Sequence, residues 1–341
     1  MTTRRSPKGW MLAIAGAGLV AATGLAAAGC GSDSAASTTA PAPDATRAVV
    51  TFSILDDVVR SVGGRCVTTT TLVGRDGDAH VFEPTPKDAT ALEGADVVIS
   101  NGLGFEPWLA DLYASSGSKA TTVVAMAGVS PIKGDHDHGH VGEDDHGDDH
   151  GDDKQTSDAG EAHEVDPHAW QDPRNMRTAV ATVRDALVKA SPECAAEIRA
   201  NAKRYDAELA ALDTEIAESV SSLPGDRRII ITNHDSLGYF AKRYGFDVET
   251  ALGSLTTESA DPSAQQIANL AADMRKDGVK AIFVENIGGT NVIDRLAREA
   301  GVQVAPPLYT DALGAEGSDG ATYLGMMRSN AKSITSGLSG S

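Results

Sequence analysis

One long amphipathic stretch in the middle of the chain limits the fold more than any other feature. Between a break at Ser191-Pro192 and a stop at Leu223-Pro224-Gly225, residues 193–222 carry Ile198, Tyr205, Leu209, Leu212 and Ile216 at separations of three, four and seven. That stripe marks a helix with one buried face. At a rise of 1.5 Å per residue it would be ~45 Å long, more than one small domain is wide. Such a helix predicts a rigid strut that joins two lobes.

The flanks of that helix agree. Upstream, apolar or β-branched runs at 48–53, 66–73, 96–100 and 121–125 read as strands, with helices at 56–62, 86–93 and 173–190. Pro86 and Pro173 stand in the first helical turn, where the missing N–H costs nothing. Downstream, strands at 228–232, 246–250, 280–284 and 302–305 alternate with helices at 236–244, 262–276 and 290–300, and a last helix follows Asp319. Alternation at this pitch implies mostly parallel sheets flanked by helices. The expected architecture is α/β in two lobes, 47–190 and 225–341, joined by the helix of 191–224. In such sheets ligands bind at the carboxyl ends of the strands, so two facing lobes make one cleft.

Four residues of metal-ligating type fall on that edge. His80 follows the strand that ends near Val73, His168 precedes the helix opening at Pro173, His234 follows 228–232, and Asp311 follows 302–305. Each has an ordinary alternative as a turn or capping residue. Together, three imidazoles and a carboxylate form a closed four-ligand set suited to zinc. Glu285, at the end of a strand, is a further carboxylate on this edge with a supporting role behind the ligands.

Six of the nine histidines lie in an acidic Gly/Asp run, which predicts a loop over 134–164 within the first lobe. Such a composition buries too little apolar surface to fold by itself. The expectation is a solvated loop in which His136, His138, His140, His146 and His150 hold metal weakly and exchangeably. The net charge of −19 is largely this insertion, whose residues 135–164 contain twelve Asp/Glu and one lysine. No basic surface suited to nucleic acid remains.

At the N-terminus, Arg4, Arg5 and Lys8 precede an apolar Ala/Gly-rich stretch and then Gly29-Cys30, the order of a secretory signal peptide over 1–29. Ala27-Ala28-Gly29-Cys30 resembles a bacterial lipobox, which implies lipidation of Cys30; ordinary cleavage with Cys30 unmodified is the alternative. Residues 30–46 are rich in Ser, Ala, Thr and Pro and read as a flexible tether. These features place the body outside the cell, lipid-anchored to the outer face of the membrane. Cys66 and Cys194 either pair in that oxidising compartment or remain two separate buried thiols.

The runs D-A-H-V-F-E-P-T-P (78–86), D-P-H-A-W-Q-D-P (166–173), T-N-H-D-S-L-G-Y-F-A-K-R-Y-G (232–245), T-T-E-S-A-D-P-S (256–263) and L-Y-T-D-A-L-G (308–314) occur in this order. They resemble the metal-binding solute-binding proteins of bacterial ABC importers, over residues 49–330. More specifically they resemble the zinc-type members, with a His-rich loop between the first two ligands. The resemblance implies two lobes with limited hinge closure and assigns His80, His168, His234 and Asp311 to the four ligand positions. Manganese-type members carry Glu where His234 stands, so zinc is the expected cargo.

The function this implies is capture of Zn2+ and delivery to an ABC permease. Other expected partners are the membrane, through the lipid anchor, and other zinc-binding chaperones. A manganese- or iron-binding homologue, or a surface adhesin with a structural metal, are the alternatives. Enzyme chemistry is not expected. The chain has no H-E-x-x-H or G-x-S-x-G run, and four fixed ligands leave no open position for a reacting water.

Overall fold

The computed structural model describes residues 40–75, 77–134, 165–232, 234–250, 263–276, 278–287 and 291–339. The first lobe is a parallel sheet in the order β2-β1-β3-β4, made of β1 (Thr46–Phe52), β2 (Val67–Val73), β3 (Val97–Ser100) and β4 (Thr121–Val124). Strand β1 is central and buried on both faces. Ala48, Val50 and Phe52 face the main core, while Val49 joins Leu72, Leu92, Val98 and Leu112 on the other side. This is the two-residue alternation of a strand, and burial of both faces is usual in parallel sheets.

Helix α1 (Ser53–Gly63) follows β1 directly. Helix α2 (Pro86–Glu93) is capped by Asp88, whose Oδ2 accepts both the Thr85 N–H at 2.8 Å and its hydroxyl at 2.7 Å. A short helix that the sequence did not announce, α3 (Leu109–Ser116), buries only Leu112. Helix α4 (Pro173–Ala190) starts at Asp172, whose side chain accepts the Arg174 N–H.

The long helix α5 (Ala195–Ser221) has 27 residues. It buries Ile198, Ala202, Tyr205, Leu209, Leu212, Ile216 and Val220, which include the five residues of the sequence stripe. It packs against α1 and α4 of the first lobe and against the last helix, α9 (Tyr323–Ser339). A disulfide joins Cys194, just before α5, to Cys66, so the two thiols are paired.

The second lobe contains β5 (Ile229–Thr232) parallel to β6 (Asp247–Thr250), and β7 (Ala281–Glu285) parallel to β8 (Gln303–Leu308). Strand β5 lies beside β7. Helices α6 (Gly238–Tyr244), α7 (Ala264–Lys276) and α8 (Asn291–Ala300) connect these strands. One apolar cluster runs from Val50 and Phe52 through Leu209 and Leu212 to Phe283 and Leu308, so the lobes share a core.

Two boundaries differ from expectation. The tether read as 30–46 ends earlier, because the Ala42 N–H donates to Arg65 O at 2.9 Å and Thr46 is buried, with its Oγ1 2.5 Å from Ser191 Oγ. Strand β8 runs on to Leu308 through Pro306 and Pro307, which an edge position tolerates because no inward N–H is required there. The signal segment, Cys30, the histidines of the 135–164 insertion, residues 256–262 of the 256–263 motif and the expected starts of α7 and α8 at 262 and 290 lie outside the described residues. On either side of the insertion, Lys133 and Val165 form an antiparallel bridge. Among the described residues no helix is long and apolar enough to cross a membrane.

Candidate metal centre

The fold brings His80, His168, His234 and Asp311 together, with one ligand-type atom of each within 4.8 Å of all the others. His80 stands in the loop from β2 to α2, and His168 lies in the approach to α4. His234 and Asp311 follow β5 and β8. The two on the second lobe thus sit beyond strand carboxyl ends, where parallel sheets place ligands.

The separations are those of a coordination polyhedron. His168 Nε2 lies 3.2 Å from His80 Nε2 and 3.1 Å from His234 Nε2. Asp311 Oδ2 is 3.3 Å from both His80 Nε2 and His234 Nε2, and Asp311 Oδ1 is 3.5 Å from His168 Nε2. A tetrahedron with zinc-like bonds of ~2.0–2.2 Å has edges of about 3.3–3.6 Å. The donor set is therefore spaced for an ion at its middle.

Asp311 is fully buried, and among the described residues its oxygens meet only the three imidazoles, at 3.3–3.5 Å. A buried carboxylate left this way is costly unless a cation meets it. In the metal-free protein the neighbouring imidazoles favour that charge on Asp311. Burial by itself would raise the Asp311 pKa, but the charges of His168 and His234 hold it well below the usual carboxylate range. Burial would lower His168, yet Asp311 and Asp166 raise it well above the ordinary imidazole value. His234 is raised as well, with Asp311 and Glu285 outweighing burial.

Neighbours fix the orientation of each ligand. Asp166 Oδ1 lies 2.8 Å from His168 Nδ1 and accepts the His168 backbone N–H at 2.8 Å, which leaves Nε2 to face the centre. The His80 N–H donates to Asp78 Oδ1 at 2.8 Å, and the adjacent Ala79 O accepts Trp108 Nε1 at 2.7 Å. Phe105 sits edge-on to His80, with ring centroids 4.7 Å apart, and Trp170 packs against His168 at 5.3 Å. The His234 N–H donates to Glu285 Oε1 at 3.1 Å. Burial pushes Glu285 up to about 7. The supporting role read for Glu285 is thus a contact with the backbone of His234. Asp166 was missed in the sequence, although it stands two residues before His168 in D-P-H.

Exposure of the four side chains is graded: Asp311 0%, His168 3%, His234 13% and His80 27%. His80 is thus the most exposed of the four.

Residues 48–337 match the family described as ZnuA, zinc-uptake complex component A periplasmic. The chain belongs to this family. Its members are extracytoplasmic metal-binding solute-binding proteins of ABC uptake rather than enzymes. The manganese-binding lipoprotein MntA of Halalkalibacterium halodurans is 32% identical over 318 residues, 92% of this chain and 95% of that one. The zinc-binding protein AdcA of Streptococcus pyogenes is 32% identical over 281 residues, 77% of this chain and 52% of AdcA. The solved structure of the periplasmic zinc binding protein TroA from Treponema pallidum is 26% identical with a TM-score of 0.72, covering 86% of this chain and 99% of TroA. The names of these relatives carry different metals, while the two-lobed fold is common to the family.

Proposed function

We propose that this chain captures Zn2+ outside the cell membrane, holds it on His80, His168, His234 and Asp311, and delivers it to an ABC permease. The observation that carries the reading is Asp311: a fully buried carboxylate that, among the described residues, is met only by three imidazole nitrogens. Imidazole-rich sets favour zinc over manganese, which prefers oxygen donors. The grading of exposure makes His80 the side of entry and release. Cys30 carries the lipid anchor, and the histidines of the insertion hold further ions weakly.

The test is metal content and chelator-competition affinity for the full chain beside His80→Ala and the double variant His168→Ala/Asp311→Ala. One tight zinc per wild-type chain, weakened in His80→Ala and lost in the double variant, is the expected result. Tight stoichiometric binding that survives the double variant sinks the assignment.

Manganese is the second reading. Both Asp311 oxygens face the imidazoles, which allows a five-atom donor set, and MntA is named as manganese-binding. Because Zn2+ out-binds Mn2+ at most such sites whatever the cargo, metal uptake separates the two: a deletion strain should be rescued by scarce Zn2+ under the first reading and by scarce Mn2+ under the second.

A further inference from the structure

Among the described residues the Asp311 carboxylate meets only the three imidazoles, so the backbone behind it must be held by other groups. The residue before it, Thr310, is fully buried and uses every polar group it has. Its hydroxyl donates to Glu285 Oε2 at 2.5 Å, and its N–H donates to Asn286 Oδ1 at 3.2 Å. Its carbonyl accepts two bonds, from Trp170 Nε1 at 2.8 Å and from Gln171 Nε2 at 3.0 Å.

Each partner leads to another ligand. Trp170 and Gln171 lie two and three residues after His168 in the same short turn. Glu285 turns its other oxygen to the His234 N–H and also accepts the Ser236 hydroxyl at 3.3 Å. The loops that carry His168, His234 and Asp311 therefore meet at one threonine. Only the His80 loop stands apart, tied instead through Trp108 and through Arg75 Nη1, which donates to Gly314 O at 2.6 Å.

We infer that Thr310 is the positioning residue of the centre: through Glu285 on one side and Trp170 and Gln171 on the other, it sets the spacing of three of the four ligands. The inference rests on the zinc-capture reading. It predicts that loss of one hydroxyl, which touches no metal, changes the coordination geometry itself. Removing a hydrogen bond of this outer kind typically costs ~10–100-fold in metal affinity.

The experiment compares wild type, Thr310→Val and Thr310→Ser in the full chain. Valine keeps the shape and loses the hydroxyl, whereas serine keeps the hydroxyl. Each is stripped of metal and given one equivalent of Co2+, whose visible bands report geometry. Zinc affinity is then measured by chelator competition, and folding by thermal melting of the metal-free form. Thr310→Ser should match wild type in affinity and spectrum. Thr310→Val should fall ~10–100-fold in zinc affinity with altered cobalt bands. Wild-type affinity and spectrum in Thr310→Val overturn the inference. So does equal weakening of both variants with unchanged bands, which is the signature of packing alone. If Thr310→Val does not fold, Gln171→Met, of similar length, removes the other side-chain N–H donor to the Thr310 carbonyl. It should weaken zinc and shift the cobalt bands, and unchanged values overturn the inference. A wild-type chain that holds no tight ion overturns the zinc-capture reading and this one with it, whereas normal wild-type binding beside an unaltered Thr310→Val overturns this one alone.

Discussion

Zinc affinity should rise steeply with pH through the neutral range, beyond the point where ordinary imidazoles have finished titrating. In the metal-free cleft His168 and His234 are both raised, because Asp311, with Asp166 for His168 and Glu285 for His234, outweighs the effect of burial. A proton on His168, facing Asp311, is therefore held to higher pH than on an ordinary imidazole. An ion takes its place only by ejecting it. Each ejected proton makes affinity change about tenfold per pH unit, or ~1.4 kcal/mol. From about pH 6 to 8 the expected gain is ~100-fold if His168 alone gives up a proton, and ~10,000-fold if His234 does so as well.

The stability of the metal-free chain moves the other way. Raised imidazoles stabilise the fold fully below their ordinary value of 6.5, and this is lost as pH rises through their folded values. The lowered Asp311 contributes above its ordinary 3.8 and loses that only as pH falls through its folded value. The thermal shift produced by zinc should accordingly widen from about pH 6 to 8. Chelator competition across that range, with calorimetry in buffers of different protonation heat, counts the protons directly. Asp166→Asn removes a charge that raises His168, so its affinity curve should flatten at a lower pH. An affinity that is flat from about pH 6.5 upward, with no proton released, would refute the reasoning.

Replacing Cys66 and Cys194 together by Ser should cost ~2–5 kcal/mol of stability, seen as a lower Tm, with zinc affinity unchanged. Deleting 135–161 should abolish the weak extra zinc seen in calorimetry and leave the tight site intact; loss of the tight site would place the functional metal in the insertion. Fatty-acid labelling should mark the wild-type chain, and Cys30→Ala should release it to the medium; an unlabelled wild type leaves secretion alone.

Periodicity carried most of the fold because burial follows it. The α5 stripe and the double-faced β1 are legible since a helix repeats near 3.6 and a buried strand is apolar throughout. Helix α3 was not, because it buries a single residue, Leu112, and its other side chains follow no stripe. The end of β8 was hidden by Pro306 and Pro307, which usually signal a stop. Histidines beside strand ends made the centre visible, since imidazole is rare and chemically specific. Thr310 was invisible for the opposite reason: a threonine in a loop is common, and its importance lies in four bonds to distant residues. Pairing of Cys66 with Cys194 likewise depended on a distance between residues 128 apart in sequence.

The bridge between Lys133 and Val165 makes this protein a natural host for foreign sequence. The flanks of residues 135–164 are held side by side by that bridge, and lengthening a segment between such ends costs only ~0.6 kcal/mol per doubling. The return point adjoins Asp166, whose N–H donates to Ile132 O at 3.0 Å and whose carboxylate steers His168. A fluorescent domain spliced there would be one residue from the group that orients a ligand, so occupancy of the cleft could be read as light.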